Sequence, residues 1–151
     1  MTRLRLSLMG AALLLAACAA PATRPAPGMD PTREITEMME ASAQAWNRRD
    51  LDAFLTTYLD SPEITYVDTR GVIRGRAGIR EMYASGWFAP GRDPGQLTFR
   101  DIEARVLGDG HALATGRFEV RIPGRDPATG IFTLVLRRTP EGWRIVHDHS
   151  S

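Results

Sequence analysis

The amino-acid sequence predicts an α+β fold, three N-terminal helices packed in a curved antiparallel sheet, and three observations carry that prediction. In the first half, between Pro31 and Phe88, three segments repeat apolar residues at intervals of three and four, the spacing of a helix face. From Gln96 onward apolar residues alternate in four long runs parted by turn residues, the spacing of strands. In the first of those runs the alternation changes parity: Leu97 and Phe99 share one side, whereas Ile102, Ala104 and Val106 share the other. One extra residue near Arg100-Asp101 reconciles the two sets, and such a β-bulge bends a strand and increases its twist. Helices first and a bent sheet after is an α+β plan. The roughly 120 residues of 31–151 suit one domain with one core.

Each element has its own signal. Asp30-Pro31 opens the first helix with a carboxylate cap and a proline at the first helical position, where its missing N–H costs nothing. Ile35, Met38, Met39, Ser42 or Ala45, and Trp46 form its face, and Asn47-Arg48-Arg49-Asp50 ends it. Asp50 caps a second helix with Leu51, Phe54, Leu55 and Tyr58 on one side, stopped by Asp60-Ser61-Pro62. Residues 63–67 alternate as a short strand, Asp68-Thr69-Arg70-Gly71 turns, and Val72-Ile73-Arg74 returns as the second arm of a hairpin. A third helix over 76–88 carries Ile79, Met82, Tyr83 and Trp87 together, and 89–95 is a Pro/Gly-rich loop. The long strands are 96–107, 111–122, 130–138 and 143–149, joined by glycine and proline turns. In the third of them Ile131 and Val135 lie opposite Phe132, Leu134 and Leu136, so both faces favour burial. One face has the helices and the other needs a partner, which predicts a homodimer through the sheet.

Residues 1–17 read as a signal peptide: two arginines (Arg3, Arg5), an apolar run, and small residues before Cys18. Ten apolar residues at about 1.5 Å each reach roughly half of the ~30 Å hydrocarbon core, too short for a span. Leu15-Ala16-Ala17-Cys18 resembles the lipobox of bacterial lipoproteins, which implies that Cys18 becomes the first mature residue and is lipidated. Cys18 is the only cysteine, so the chain has no internal disulfide, and two or more acyl chains give stable membrane attachment. Ala19 in place of an aspartate implies, on the same resemblance, an exported protein anchored facing the periplasm, at the outer membrane. Residues 18–30 then comprise the lipidated cysteine and a Pro/Ala-rich tether, extended at about 3.1 Å per residue. Removal of 1–17 takes two arginines and no acid, turning the formal charge from +1 to about −1. That charge, with scattered arginines, leaves no basic footprint for nucleic acid, and contact with the membrane is expected only through the lipid.

Three stretches carry a family resemblance: Trp46-Asn47-Arg48-Arg49-Asp50-Leu51-Asp52-Ala53-Phe54, then Thr65-Tyr66-Val67-Asp68 with Gly71 and Gly75, then Gly142-Trp143-Arg144-Ile145-Val146-His147-Asp148-His149-Ser150-Ser151. They resemble the SnoaL-like, or DUF4440-type, group of the nuclear transport factor 2-like (NTF2-like) superfamily, from Ile35 to Ser151. The last stretch is also similar to the association (hub) domain of calcium/calmodulin-dependent kinase II. The resemblance implies a cone in which the bent sheet wraps the helices, with a cavity on the concave face and a dimer contact on the convex one. In the hub domain, cavity arginines bind small carboxylates and one of them follows the second histidine, where this chain has Ser150. Other relatives are ketosteroid isomerases and polyketide cyclases, in which a cavity carboxylate acts as base and a tyrosine or second acid stabilises an enolate. By position this implies Asp68 or Asp148 as the carboxylate and Tyr58 or Tyr66 as the donor.

The residues themselves name ligand-binding candidates. Trp46, Tyr58, Tyr66, Tyr83 and Trp87 can wall a pocket with aromatic rings. Among the strand arginines 100, 117, 137, 138 and 144, one or two are expected inward, Arg117 among the candidates, where a guanidinium clamps an anionic group bidentately. His147 and His149 share a strand face, about 6.6 to 7 Å apart along the chain, with Trp143 and Ile145. A zinc ion there needs a third ligand, His111 or Glu119, and the sequence calls for no metal or cofactor. A catalytic carboxylate needs an apolar pocket that brings its pKa toward the working pH. Asp68 sits in a turn beside Arg70, and Asp148 sits between two histidines. The expectation is therefore a lipid-anchored domain binding a small anionic or aromatic molecule, with an isomerase, hydratase or cyclase of small hydrophobic substrates as the alternative. The cavity discriminates: a carboxylate in hydrogen-bond reach of a tyrosine among apolar walls marks the enzyme, and a lining of arginine and histidine without such a pair marks the binder.

Overall fold

Two capped helices begin the domain in the computed structural model, which describes residues 30–108 and 110–151. The expected signal peptide, Cys18 and the expected tether up to residue 29 lie outside the described residues. Helix α1 (Pro31–Asn47) starts where Asp30 accepts a hydrogen bond from the Thr32 N–H at 3.1 Å. Its stripe of Ile35, Met39, Ala43 and Trp46 is buried. Helix α2 (Leu51–Leu55) is capped in the same way, by Asp50 accepting from the Ala53 N–H at 2.9 Å. It is shorter than its apolar face suggests. The Thr56 and Thr57 hydroxyls donate back to the carbonyls of Ala53 and Phe54 at 2.7 and 2.8 Å, competing with helical bonding. The backbone then leaves the helix to bond Ile145, whose N–H donates to Thr57 at 2.8 Å and whose carbonyl accepts from Leu59 at 3.0 Å. Tyr58 is thereby fixed beside the sheet.

Strands β1 (Thr65–Asp68) and β2 (Gly71–Arg74) form the short hairpin, and α3 (Gly75–Ser85) follows it. The remaining strands are β3 (Gln96–Gly108), β4 (His111–Arg121), β5 (Ala128–Thr139) and β6 (Gly142–Ser150). Across the single unclosed sheet the order is β2-β1-β6-β5-β4-β3. Pairing is antiparallel at every join except β1 with β6, which run parallel. The core lies between the helices and the inner face of this sheet, and Ile35, Leu55, Ile79, Leu134 and Leu136 are its most fully buried side chains, each stabilising by about 1.5–3 kcal/mol. The edge of β3 is tied to α1 by the Asn47 amide, which donates to the Leu97 carbonyl at 3.1 Å and accepts from its N–H at 2.7 Å.

Two of the three register shifts in the sheet set which side chains face inward. The expected one is present in β3: Arg100 pairs with Arg117 and Glu103 with Thr115, so Asp101 and Ile102 oppose Gly116 alone. Asp101 takes a φ of 54° there, and Leu97, Phe99, Ile102 and Ala104 all turn to the same side. The second, which the alternation does not announce, lies in β6. Leu136 pairs with Ile145 and Val135 with His147, leaving Val146 as the extra residue. Parity reverses past it. Trp143 and Ile145 are buried, then Asp148 is buried at 5% exposure while His149 faces solvent. Trp143, Ile145, His147 and His149 therefore do not share a face, because one inserted residue sends the histidines outward and Asp148 inward. On the outer face of β5, Ile131 is 52% exposed.

Candidate functional site

The concave face and the helices enclose a hollow of about 450 Å³, within the ordinary range for small-molecule sites. Its deep walls are apolar: Met39, Trp46 and Phe54 from the helices, Leu97, Val120, Leu134 and Ile145 from the sheet. Trp46 organises the aromatic side, meeting Phe54, Tyr83, Trp87 and Phe88 edge-on at centroid distances of 5.3, 6.0, 5.6 and 4.8 Å, the geometry that ring quadrupoles favour. Its indole N–H donates to the Gly95 carbonyl at 3.1 Å. On the sheet side, Gly116 faces Phe132 and Gly130 faces Phe118 across the β4–β5 pair. A Cβ on either glycine would run into the opposing ring, so the two glycines let the phenyl groups lie flat along the wall.

One charged group is buried within these walls. Asp148 accepts a hydrogen bond from the Tyr58 hydroxyl on Oδ2 at 2.6 Å and from the Ser150 hydroxyl on Oδ1 at 2.8 Å. No cation among the described residues lies within ion-pair distance of it. Burial pushes the carboxyl above the usual range, opposed by the two hydroxyl donors and by the more distant fields of His147 and His149. The tyrosines respond in kind. Tyr58 is raised well above the ordinary phenol value, first by burial and then by the charge of Asp148. Tyr83, whose hydroxyl lies 3.4 Å from that of Tyr58, is raised for the same two reasons. Tyr66 is pushed up to about 12, again by burial first. All three stay protonated at neutral pH and remain donors. The cluster thus holds a carboxylate of raised proton affinity beside hydroxyls that supply hydrogen bonds, the pairing that proton transfer requires.

The structure brings together Trp46, Tyr58, Tyr66, Tyr83, Trp87 and Asp148, drawn from α1, the segment after α2, β1, α3 and β6. Asp68 and Arg70 also reach the hollow, at its mouth, where the Arg70 guanidinium binds Asp68 Oδ2 from Nε at 2.9 Å and Nη2 at 2.5 Å. That pairing holds the Asp68 carboxyl below its usual value and leaves it a poor base. Arg117, His147 and His149 do not line the hollow. Arg117 lies on the outer face, 3.7 Å from Asp101, because β4 alternates and its inward neighbours are Gly116 and Phe118. His147 shares a 2.6 Å hydrogen bond with Thr65 on the adjacent parallel strand. Glu119 pairs with Arg100 and Arg121, and His111 sits opposite Arg137. Among the described residues no three metal-ligating side chains converge. Sequence reasoning missed Ser150, noted only as a replaced arginine, and Arg92 at the mouth. The unseen bulge at Val146 is why Ser150 was overlooked.

A comparison with curated protein sequences finds no match. Solved structures do match. An NTF2-like protein of unknown function from Shewanella oneidensis is 28% identical with a TM-score of 0.73, covering 81% of this chain and 99% of that one. An NTF2-like superfamily protein from Salmonella enterica serovar Typhimurium is 26% identical with a TM-score of 0.66, over 80% and 89%. A ketosteroid isomerase-like protein from Erwinia carotovora shares the fold at 22% identity and a TM-score of 0.63, over 82% and 97%. The family profile of the SnoaL-like domain matches residues 35–151, and with helices seated in a bent six-stranded sheet the chain belongs to the SnoaL-like domain family of the NTF2-like superfamily.

Proposed function

We propose that this domain is an acid–base enzyme of the isomerase, hydratase or cyclase type, acting on a small, largely apolar molecule enclosed in the hollow. The observation that carries the reading is Asp148, buried among aromatic and aliphatic walls, with the Tyr58 hydroxyl 2.6 Å from its Oδ2. In its ionised form Asp148 takes a proton from a carbon adjacent to a carbonyl. The electrons of that C–H bond move onto the carbonyl oxygen, where a hydroxyl from Tyr83 or Tyr66 supports the developing charge while Tyr58 holds the carboxylate. The protonated carboxyl then returns the proton at another atom. Burial brings Asp148 nearer to the working pH, which improves a general base. Binding without chemistry is the second reading, favoured by the fact that both Asp148 oxygens already accept from Tyr58 and Ser150.

The two readings separate by proton exchange. Incubated in D2O with ring ketones such as 2-tetralone, the protein is expected to speed deuterium uptake at the α-carbon, followed by NMR. Asp148→Asn abolishes the effect, and Tyr58→Phe, which removes the hydroxyl that positions the base, lowers it about 100-fold. Ketone binding with no exchange above buffer would leave the binding reading alone. We further propose that the mature protein is lipidated at Cys18, faces the periplasm from the outer membrane, and pairs with a second copy through the outer face of the sheet. The lipobox-like residues and the exposed Ile131 support these assignments.

A further inference from the structure

The polar groups of the hollow fall into two sets. Asp148, Ser150 and the three tyrosines lie among its walls, whereas the exposed members of the lining, Thr69, Arg70, Arg92 and Ser151, mark the mouth. The charge of Arg70 is taken up by Asp68. Arg92 is different. Among the described residues no carboxylate lies within 4 Å of it, while its neighbour Asp93 is committed to Arg49 at 3.1 Å. Two contacts nevertheless hold its guanidinium in place at the rim. Nη1 donates to the Gly86 carbonyl at 3.3 Å, and the group lies 5.7 Å from the centroid of the Trp87 ring, within the range of a cation–π interaction. Gly86 and Trp87 are themselves part of the lining, so the positioned cation sits at the rim of the hollow.

We infer that the substrate of this site is an amphipathic carboxylate: an aromatic or aliphatic ring body occupies the hollow and its carboxylate pairs with Arg92 at the mouth. The inference rests on the proposed use of the hollow as a substrate site. A planar guanidinium matches a carboxylate with two parallel N–H donors, and among the described residues lining the hollow a single uncommitted cation balances a single charge rather than the two of a phosphate monoester. The arrangement also fixes direction. With the anion held outside at Arg92, the ring end must enter first, toward Asp148, and like charges are kept at opposite ends of the bound molecule.

The test uses a matched pair of ligands, 2-naphthoate and 2-naphthamide, titrated into the protein by calorimetry. The carboxylate is expected to bind at least 10-fold more tightly than the amide. In Arg92→Gln that preference falls below about 3-fold, and Arg92→Lys restores part of it. Equal affinities in the wild-type protein overturn the inference and leave the hollow as a site for neutral molecules. A carboxylate preference that survives Arg92→Gln overturns the assignment to Arg92. Binding of neither ligand at millimolar concentration removes the ligand-holding reading itself, and this inference with it.

Discussion

Asp148 is a carboxylate kept in an apolar hollow with no counter-ion among the described residues, and that arrangement has a stability consequence that can be measured. Because its folded pKa is raised above the unfolded value, the native state binds the proton more tightly than the unfolded chain. Stability from this group is complete below the unfolded carboxyl pKa and is lost as pH rises through the folded one. Asp148→Asn lacks the titration, and its amide can still meet the Tyr58 and Ser150 hydroxyls. The variant is therefore expected to be more stable than wild type at pH 7–8, with the difference vanishing near pH 3. Urea melts at the two pH values check this, and a variant that is less stable at pH 8 would refute it. Gain of stability together with loss of exchange is the signature of a functional group held at a cost. Asp68 behaves oppositely: the hydrogen bond from Arg70 lowers its pKa, so its contribution is lost only as the solution turns acid. The pair is partly exposed, which limits it to roughly 0–1 kcal/mol.

The elements were legible to different degrees, for physical reasons. Caps at Asp30 and Asp50 and the turn at 68–71 depend on local chemistry and could be placed from sequence. The bulge in β3 could be read because apolar residues lie on both sides of it, so a change of parity is visible as a change of hydrophobic phase. In β6 the phase changes from Trp143 and Ile145 to Asp148 and Ser150, and alternation cannot register a polar residue as inward-facing. That silence coincides with the candidate site, where local rules are expected to yield to function. The early end of α2 was equally hidden, since it follows from hydrogen bonds to Ile145, about ninety residues later. The reciprocal glycine–phenylalanine pairs of β4 and β5 offer a test at this scale. Gly116→Ala sets a methyl against the Phe132 ring and is expected to cost about 1–3 kcal/mol, as other overpacked cores do. A lowered urea midpoint with weaker naphthoate binding would follow, and an unchanged midpoint would show that the ring has room to move.

At the scale of the whole molecule, the α+β class and the helices-then-sheet plan were legible because half the chain has a helical period and half a strand period. Residues 1–29 bear on the assembly through the proposed anchor, and two measurements address it. Metabolic labelling with an alkyne fatty acid should mark the wild-type protein and not Cys18→Ser. Sedimentation of the soluble domain at micromolar concentration should give a dimer, and Ile131→Glu a monomer; a wild-type monomer would remove the proposed sheet contact. Strand order carries one more implication. β6 is the sixth strand along the chain and the third across the sheet, so the hairpin β1–β2 has nothing to join until it is inserted. Tyr58 waits on a ribosome to make ninety more residues before Asp148 can meet it. A nascent or nicked chain lacking that ribbon owns every tyrosine of the cluster and no base, and recovery of ligand binding during refolding should coincide with the final, slow gain of structure that such distant pairing imposes.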